Sequence, residues 1–404
     1  MVSHRDRQGV VVRQHRGAAG LLAAVLLGTA ALTGCTGSVP GRGAAATDGP
    51  GSASSGVPRF DESVTLVESR RLAYAVPRPD VVNDSFTRSC LPTLPLRNVA
   101  ALGGFGGLFV DRSVEVFRRN GFVAGYVQCR SDPDTGRGLV AAAIEMRDAA
   151  AARRAATEVV PTLAGPHDRV APLDGLSPAT AIAGVNQDTG RQVLQTVIAF
   201  HRLVLYQYAD DTDGDRVVST AVSVLRAALD RAGEYRPTPL DQMPRLREDR
   251  RDLRRLLVEP EGGALVNGGG YDLDAYYGLA EDPDAERRLL SGAGFTAMYS
   301  NQGTHESYSV YELRDPTAAR AVLDGFTAVD RRLHPDLVPL SVPAAGAPSS
   351  CFAFTDDSTP AQRCFFTAGR YLYQVDTFGF PAGGLADPGR ISGPVAAQRD
   401  AAPR

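Results

Sequence analysis

Four histidines follow residue 34, at His167, His201, His305 and His334, and none has the spacing of a metal site or of a base beside a nucleophile. Each is expected at the surface, His201 at a turn between two strands. Gly175-Leu176-Ser177-Pro178-Ala179 lacks the last glycine of a nucleophile elbow, so hydrolysis of that type has no support. Asp211-Thr212-Asp213-Gly214-Asp215 resembles the opening of a calcium loop, but its glycine comes early and Val222 stands where a bidentate glutamate belongs. It reads as a turn, with Asp215 capping the next helix. Asp272 and Asp274 would share one face of an extended stretch, and paired carboxylates can hydrolyse glycosides. Such short acidic alternations are also ordinary surface sequence. Gly103-Gly104-Phe105-Gly106-Gly107 and Asn267-Gly268-Gly269-Gly270-Tyr271 match no nucleotide fingerprint. They read as connecting loops or, with Tyr271, Tyr276 and Tyr277 close by, as the mouth of a pocket. The sequence contains no lysine, which removes phosphate-loop, Schiff-base and Ser-x-x-Lys chemistry together. No catalytic residue, metal ligand or cofactor is predicted.

The cysteines are more informative. Cys90, Cys129, Cys351 and Cys364 contain no Cys-x-x-Cys, so a zinc site is disfavoured. In an exported chain they read as disulfides, and four cysteines permit three pairings. The favoured pairing is Cys90 with Cys129 and Cys351 with Cys364, one bridge in each half. The second would join two strands across the turn at 356–360, a closed loop worth about 3 kcal/mol in the chain-entropy picture.

The fifth, Cys35, ends a different pattern. Arg5, Arg7, Arg13 and Arg16 form a cationic leader, and an uncharged run then extends from Ala18 to Leu32. That run is shorter than a membrane-spanning helix needs and leads into small residues, as in a secretory signal. Leu32-Thr33-Gly34-Cys35 resembles the bacterial lipobox. The resemblance implies cleavage before Cys35, lipid on its sulfur and anchoring to the outer face of the cytoplasmic membrane, stable because more than one acyl chain is attached.

These features divide the chain into a signal peptide at 1–34, a flexible tether at 35–56, a first lobe at 57–235, an Arg-rich linker helix at 236–260, a second lobe at 261–380 and a loose tail at 381–404. The tether lacks the apolar side chains to build a core. The linker carries Leu246, Leu253, Leu256 and Leu257 on a narrow stripe among arginines, which suits a solvated helix with internal ion pairs or, alternatively, contact with anionic headgroups. The lobes repeat one another. Gly121-Phe122-Val123-Ala124-Gly125-Tyr126 returns as Gly294-Phe295-Thr296-Ala297-Met298-Tyr299, an offset of 173. Glu145-Met146-Arg147-Asp148, Ala151-Ala152-Arg153 and Leu205-Tyr206-Gln207 return at 312–315, 318–320 and 372–374, all at an offset of 167. Each copy reads as a leading helix, a strand pair, a helix capped by Asp148 or Asp315, and three further strands. The inward face of that helix is Ala151, Ala155 and Val159, or Ala318, Val322, Phe326 and Val329. Glu145 with Arg147, and Glu312 with Arg314, are same-face neighbours placed to pair. Only the first copy continues into a further amphipathic helix, so the second lobe is expected to lean on the first, as a pseudo-symmetric pair with a groove between. The fold class is α+β, two tandem duplicated units, each a mostly antiparallel sheet packed by helices.

The lipobox, the lysine-free composition and the doubled Gly-Phe-x-Ala-x-Tyr … Arg-Asp-x-x-Ala-Ala-Arg unit resemble an uncharacterised family of actinobacterial cell-envelope lipoproteins. That resemblance carries no catalytic residues to transfer. A net charge of −3 gives no polyanion-binding signature, and nucleic acid is not an expected partner. The reading is an anchored, non-enzymatic binding or accessory protein for a small molecule, lipid or protein partner. The alternatives are an envelope hydrolase acting on polysaccharide or lipid, and an extracytoplasmic sensor or assembly factor.

Overall fold

A computed structural model describes residues 60–403 apart from 91–92, 104–107, 262–267 and 357–358. The signal segment, Cys35, the tether and most of the first glycine-rich loop therefore lie outside the described residues. The first half runs α1 (Glu62–Leu72), α2 (Pro79–Val82), β1 (Arg88–Ser89), β2 (Leu94–Leu96), α3 (Asp111–Arg119), β3 (Phe122–Ser131), β4 (Gly138–Met146) and α4 (Ala149–Leu163). It continues through β5 (Arg169–Pro172), β6 (Thr180–Val185), β7 (Gln192–Phe200), β8 (Leu203–Asp211) and α5 (Gly214–Glu234). The second half runs β9 (Gly269–Tyr271), α6 (Leu273–Tyr277), α7 (Pro283–Gly292), β10 (Ala297–Gln302), β11 (Glu306–Glu312) and α8 (Pro316–Leu333). It ends with β12 (Val338–Pro339), β13 (Ser349–Asp356), β14 (Thr359–Ala368), β15 (Tyr371–Phe378) and α9 (Gly389–Ala401).

The architecture is α+β, with two antiparallel sheets covered by helices. Strand order is β3-β4-β8-β7-β6-β5 in the first sheet, with β1 and β2 pairing along β3. It is β9-β10-β11-β15-β14-β13-β12 in the second. The long helices start where side chains replace missing backbone partners: Asp148 accepts the Ala151 N–H at 2.7 Å and Asp315 the Ala318 N–H at 2.8 Å. Gly121 and Gly294 take φ of +80° and +65° where the leading helix turns into its strand. In each half the mid-chain helix covers one sheet face and the C-terminal helix the other.

Four details differ from the sequence reading. Each half has four strands after its central helix, because the short edges β5 and β12 add to the three β-rich runs. The repeated Leu-Tyr-Gln is out of register: β4 pairs Ile144 with Val204, whereas β11 pairs Tyr311 with Leu372. Position 204 thus answers to 372, an offset of 168, and the matching turn residues are His201 (φ 51°) and Gly369 (φ 55°). A slip of one residue turns every side chain to the opposite face, so the triplet identity is coincidental. The linker is not an α-helix. Asp249 accepts the backbone N–H groups of Arg251, Leu253 and Arg254, and Asp252 adopts φ 54°, leaving two short 3-10 turns at Met243–Arg245 and Arg254–Leu256. Finally, 389–401 is helix rather than loose tail. Ile391 and Val395 in α9 are fully buried with Tyr308, Phe366, Tyr373 and Val375, so the second lobe also has its closing helix.

The lobes share one continuous core through non-equivalent faces, the α5 side of the first sheet and the α8 side of the second. That is not the contact of a symmetric pair. The join is polar at its centre. Arg130 of β3 has no exposed surface, and its Nη2 donates to Tyr277 O at 2.7 Å while both terminal nitrogens approach Ala280 O at 3.4 Å. Its guanidinium lies 5.0 Å from the Tyr277 ring centre, and Tyr126 donates to Ala275 O at 3.3 Å. Arg130→Ala leaves those carbonyls buried without donors, and should lower the unfolding free energy by about 3 kcal/mol in urea denaturation followed by circular dichroism.

Candidate ligand-binding cavity

Register makes the two sheets comparable residue by residue. Beneath α4 the first sheet presents Val127 opposite Ala142, Val140 opposite Tyr208, Ala142 opposite Tyr206 and Val197 opposite Tyr206. Beneath α8 the same pairings are Ser300 opposite Ser309, Ser307 opposite Asp376, Ser309 opposite Gln374 and Phe365 opposite Gln374. Gln195 of β7 corresponds to Arg363 of β14, since each pairs with the residue in that Tyr208 or Asp376 position. One lobe packs this layer with apolar and aromatic side chains around a single amide, Gln195, which accepts the Tyr206 hydroxyl at 2.9 Å. The other builds it from serines, amides and charges around a cavity of about 160 Å³.

Arg363 organises the cavity. Its Nε donates to Asp376 Oδ1 at 2.7 Å, its Nη1 to Asp330 Oδ1 at 2.7 Å, and both Nη atoms approach Glu281 Oε1 at 3.3 Å. Ser307 and Gln374 donate to Asp376 Oδ2 at 3.0 and 2.8 Å, and Tyr311 donates to Gln374 Oε1 at 2.9 Å. Across the cavity, Glu286 of α7 accepts the backbone N–H groups of Glu281 and Asp282 at 2.9 Å each, and the hydroxyl of Tyr276. Burial, reinforced by the neighbouring Glu281 and Asp330 charges, pushes the Glu286 carboxyl up to about 7. Burial likewise raises Asp330 to about 6, Arg363 pulling the other way. Met298, Phe326, Val329 and Phe365 supply apolar wall, and Leu279 stands exposed beside it.

The Glu281, Asp330 and His334 ligand atoms lie within 4.8 Å of one another. The same two carboxylates hold the Arg363 guanidinium, so this arrangement answers to an arginine already in place. His334 is buried, 4.1 Å from the Phe354 ring centre and 3.2 Å from Glu281 Oε2, contrary to its expected surface position. His167, His201 and His305 are exposed.

The other sequence candidates serve the fold. Cys90–Cys129 and Cys351–Cys364 are both disulfides, the second between directly opposed residues of β13 and β14. Asp213 rather than Asp215 caps α5, accepting the N–H groups of Asp215 and Arg216, while Asp211 is held by Arg137 and Arg216. Asp272 caps α6 beside a second cavity, whereas Asp274 pairs with Arg231 and Arg287 outside it, so the two carboxylates do not converge on one cleft. Glu145 pairs with Arg202 and Glu312 with Arg370 and Arg251, not with Arg147 and Arg314, which turn to Asp148 and Asp315. Of the residues read as a possible pocket mouth, Tyr276 lines this cavity and Gly270 and Tyr271 line a second one, while Tyr277 lines neither; sequence reasoning missed the polar residues of the sheet and of α8. Their signal lay in aligning the copies one residue further along and asking where apolar positions become polar.

Fold and cavity together define a two-lobed α+β chain with a polar cavity in one lobe. Residues 55–247 match a family described as "Domain of unknown function (DUF7373) N-terminal". Among solved structures, the extracellular domain of PknH from Mycobacterium tuberculosis is similar at 12% identity and a TM-score of 0.30, covering 41% of this chain and 96% of that one. No curated protein matches the chain.

A carboxyl raised from 4.5 to about 7 binds its proton more tightly in the folded state, so stability falls as pH rises between those values. From pH 5.5 to 7.5 the chain should lose roughly 2 kcal/mol of unfolding free energy through Glu286. Glu286→Gln, which keeps the acceptor for the two N–H groups, should flatten that slope in denaturant titrations at the two pH values.

Proposed function

We propose that this is an exported, lipid-anchored binding protein whose ligand occupies the second-lobe cavity. One observation carries the reading: the layer packed dry in the first lobe is polar and hollow at the corresponding positions of the second. Burying serines, an amide and four acids about one arginine costs stability that the first-lobe version avoids. Departures of this kind from a consistent core concentrate at functional sites. A cavity of about 150 Å³ admits a benzene-sized guest, so the occupant is compact. The lining is rich in acceptors, and Glu281, Glu286, Asp330 and Asp376 outnumber Arg363. The matching guest presents hydrogen-bond donors, as a small amine or polyol does. An amine would bind more tightly above pH 7, once Glu286 and Asp330 are ionised, whereas a polyol would show no such rise.

Two disulfides support folding in an oxidising compartment, and the lipobox-like sequence supports anchoring at Cys35. Among the described residues no helix is long and apolar enough to cross a membrane. A hydrolase reading would take Glu286 and Asp330 as its acids. Tyr276 and two backbone donors hold the first, and Arg363 holds the second, so their geometry favours a fixed binding wall.

The test transplants the dry layer. Ser300→Val, Ser309→Ala and Gln374→Tyr, the first-lobe residues at those positions, should leave a folded chain and abolish the extra mass that native mass spectrometry finds on the wild type. A wild-type chain of bare mass, purified from its own membranes, would sink the proposal. Cys35→Ala should release the protein into the medium and remove the acyl mass from its N-terminal peptide; retention at the membrane would sink the anchor.

A further inference from the structure

A second cavity, of about 230 Å³, lies where α1 meets the 247–253 turn and the strands β9 and β10. Val67, Leu253, Tyr271, Ala297 and Met298 give it an apolar wall. Its charges are Arg70, Arg71, Arg247, Arg250 and Arg251 against Glu248, Asp249 and Asp272. The acids are committed: Asp249 to three backbone N–H groups, Asp272 to the α6 cap, and Glu248 to Arg70 Nη1 at 3.2 Å. Two arginines are committed as well, Arg71 to Glu68 at 2.6 Å and Arg251 to Glu312 at 2.8 Å.

Arg70 shares the Glu248 carboxylate, so the surplus charge lies in Arg247 and Arg250. Arg247 and Arg250 are exposed and make no hydrogen bond or ion pair among the described residues. Arg70, whose side chain is only 4% exposed, is held by Glu248, by Gly268 O and by the Tyr271 ring 4.8 Å away, yet its buried Nε–H has no acceptor. The Arg70 charge is met by Glu248, but a buried donor left unfilled is costly, and an oxoanion in the cleft supplies the acceptor it lacks. The turn that breaks the linker helix is what brings Arg247 and Arg250 to the same mouth.

We propose that this cleft binds a phosphate-type oxoanion, with its apolar wall receiving the carbon chain beside the phosphate. Guanidinium groups match two phosphate oxygens at once, and a low-dielectric wall strengthens the contact. Two sources share that chemistry, a free phosphate and the phosphodiester headgroup of a lipid. The site goes beyond the acceptor-rich cavity, whose chemistry repels anions.

The mature chain with Cys35→Ser, free of its own acyl groups, is titrated by calorimetry with inorganic phosphate and with dihexanoyl phosphatidylglycerol below its micelle concentration. Saturable binding is expected, weakened about tenfold by Arg247→Ala and again about tenfold by Arg250→Ala, the size of one charge-assisted hydrogen bond each. Arg255→Ala removes the same charge outside the cleft and should change nothing. Equal affinity for both probes identifies free phosphate as the source; preference for the lipid brings the apolar wall into the site. Failure of both probes to bind overturns the proposal, as does equal weakening by Arg255→Ala, which marks unspecific attraction. Arg247 and Arg250 are exposed and unbonded, so unchanged melting curves confirm that the variants remain folded.

Discussion

A guanidinium set against the inner face of a sheet constrains everything around it. Arg363 cannot be deprotonated, so its burial requires acids in reach of each nitrogen. Asp376 on the neighbouring strand, Asp330 on α8 and Glu281 ahead of α7 meet that need from three separate elements. Burial raises Asp330 despite its arginine and raises Glu286 further, and the neighbouring acids add to both shifts. Side chains that hydrogen-bond to charges cannot also close-pack as hydrocarbons do, and the cavity follows. Electrostatics at one residue thus decides the packing of a whole layer.

Fold class was legible because it rests on local rules. Asp315-Pro316 starts a helix by capping and by a fixed φ, and the inward residues 318, 322, 326 and 329 keep helical spacing. What escaped depended on competition between local and distant partners. The linker has helical composition, yet the Asp249 carboxylate captures three backbone N–H groups that a helix would pair with carbonyls. The 389–401 segment reads as loose because glycine, alanine and a proline dominate it. Burial of Ile391 and Val395 against the outer sheet face, with Gln398 bonding to Leu256 O and to the Val258 N–H, overrides that composition.

The cavity was hidden by a one-residue ambiguity. Identity of Leu205-Tyr206-Gln207 with 372–374 suggested one offset, and at that offset Tyr206 falls on Tyr373, two aromatics on opposite faces. At the true offset Tyr206 falls on Gln374 and Tyr208 on Asp376, and the change from packing to polarity becomes visible. Side-chain identity is weak where both strands are aromatic-rich; hydrogen-bond register is decisive. The disulfides show the same independence of the copies. Cys129 corresponds to Gln302 and Cys364 to Thr196, so each lobe is cross-linked at a site the other leaves open.

Met298 lines both cavities, one acidic and one rich in arginine. Its position is Gly125 in the first sheet, where a Cβ would come within 2.6 Å of Leu96 Cδ1, so a side chain there would have to displace Leu96. In the second lobe the place of Leu96 along that strand is taken by β9, whose Tyr271 pairs directly with Met298. The buried Met298 side chain there gives an apolar wall to both cavities. Across such a wall little water screens, so a cation on one side and an anion on the other stabilise each other more than either would alone.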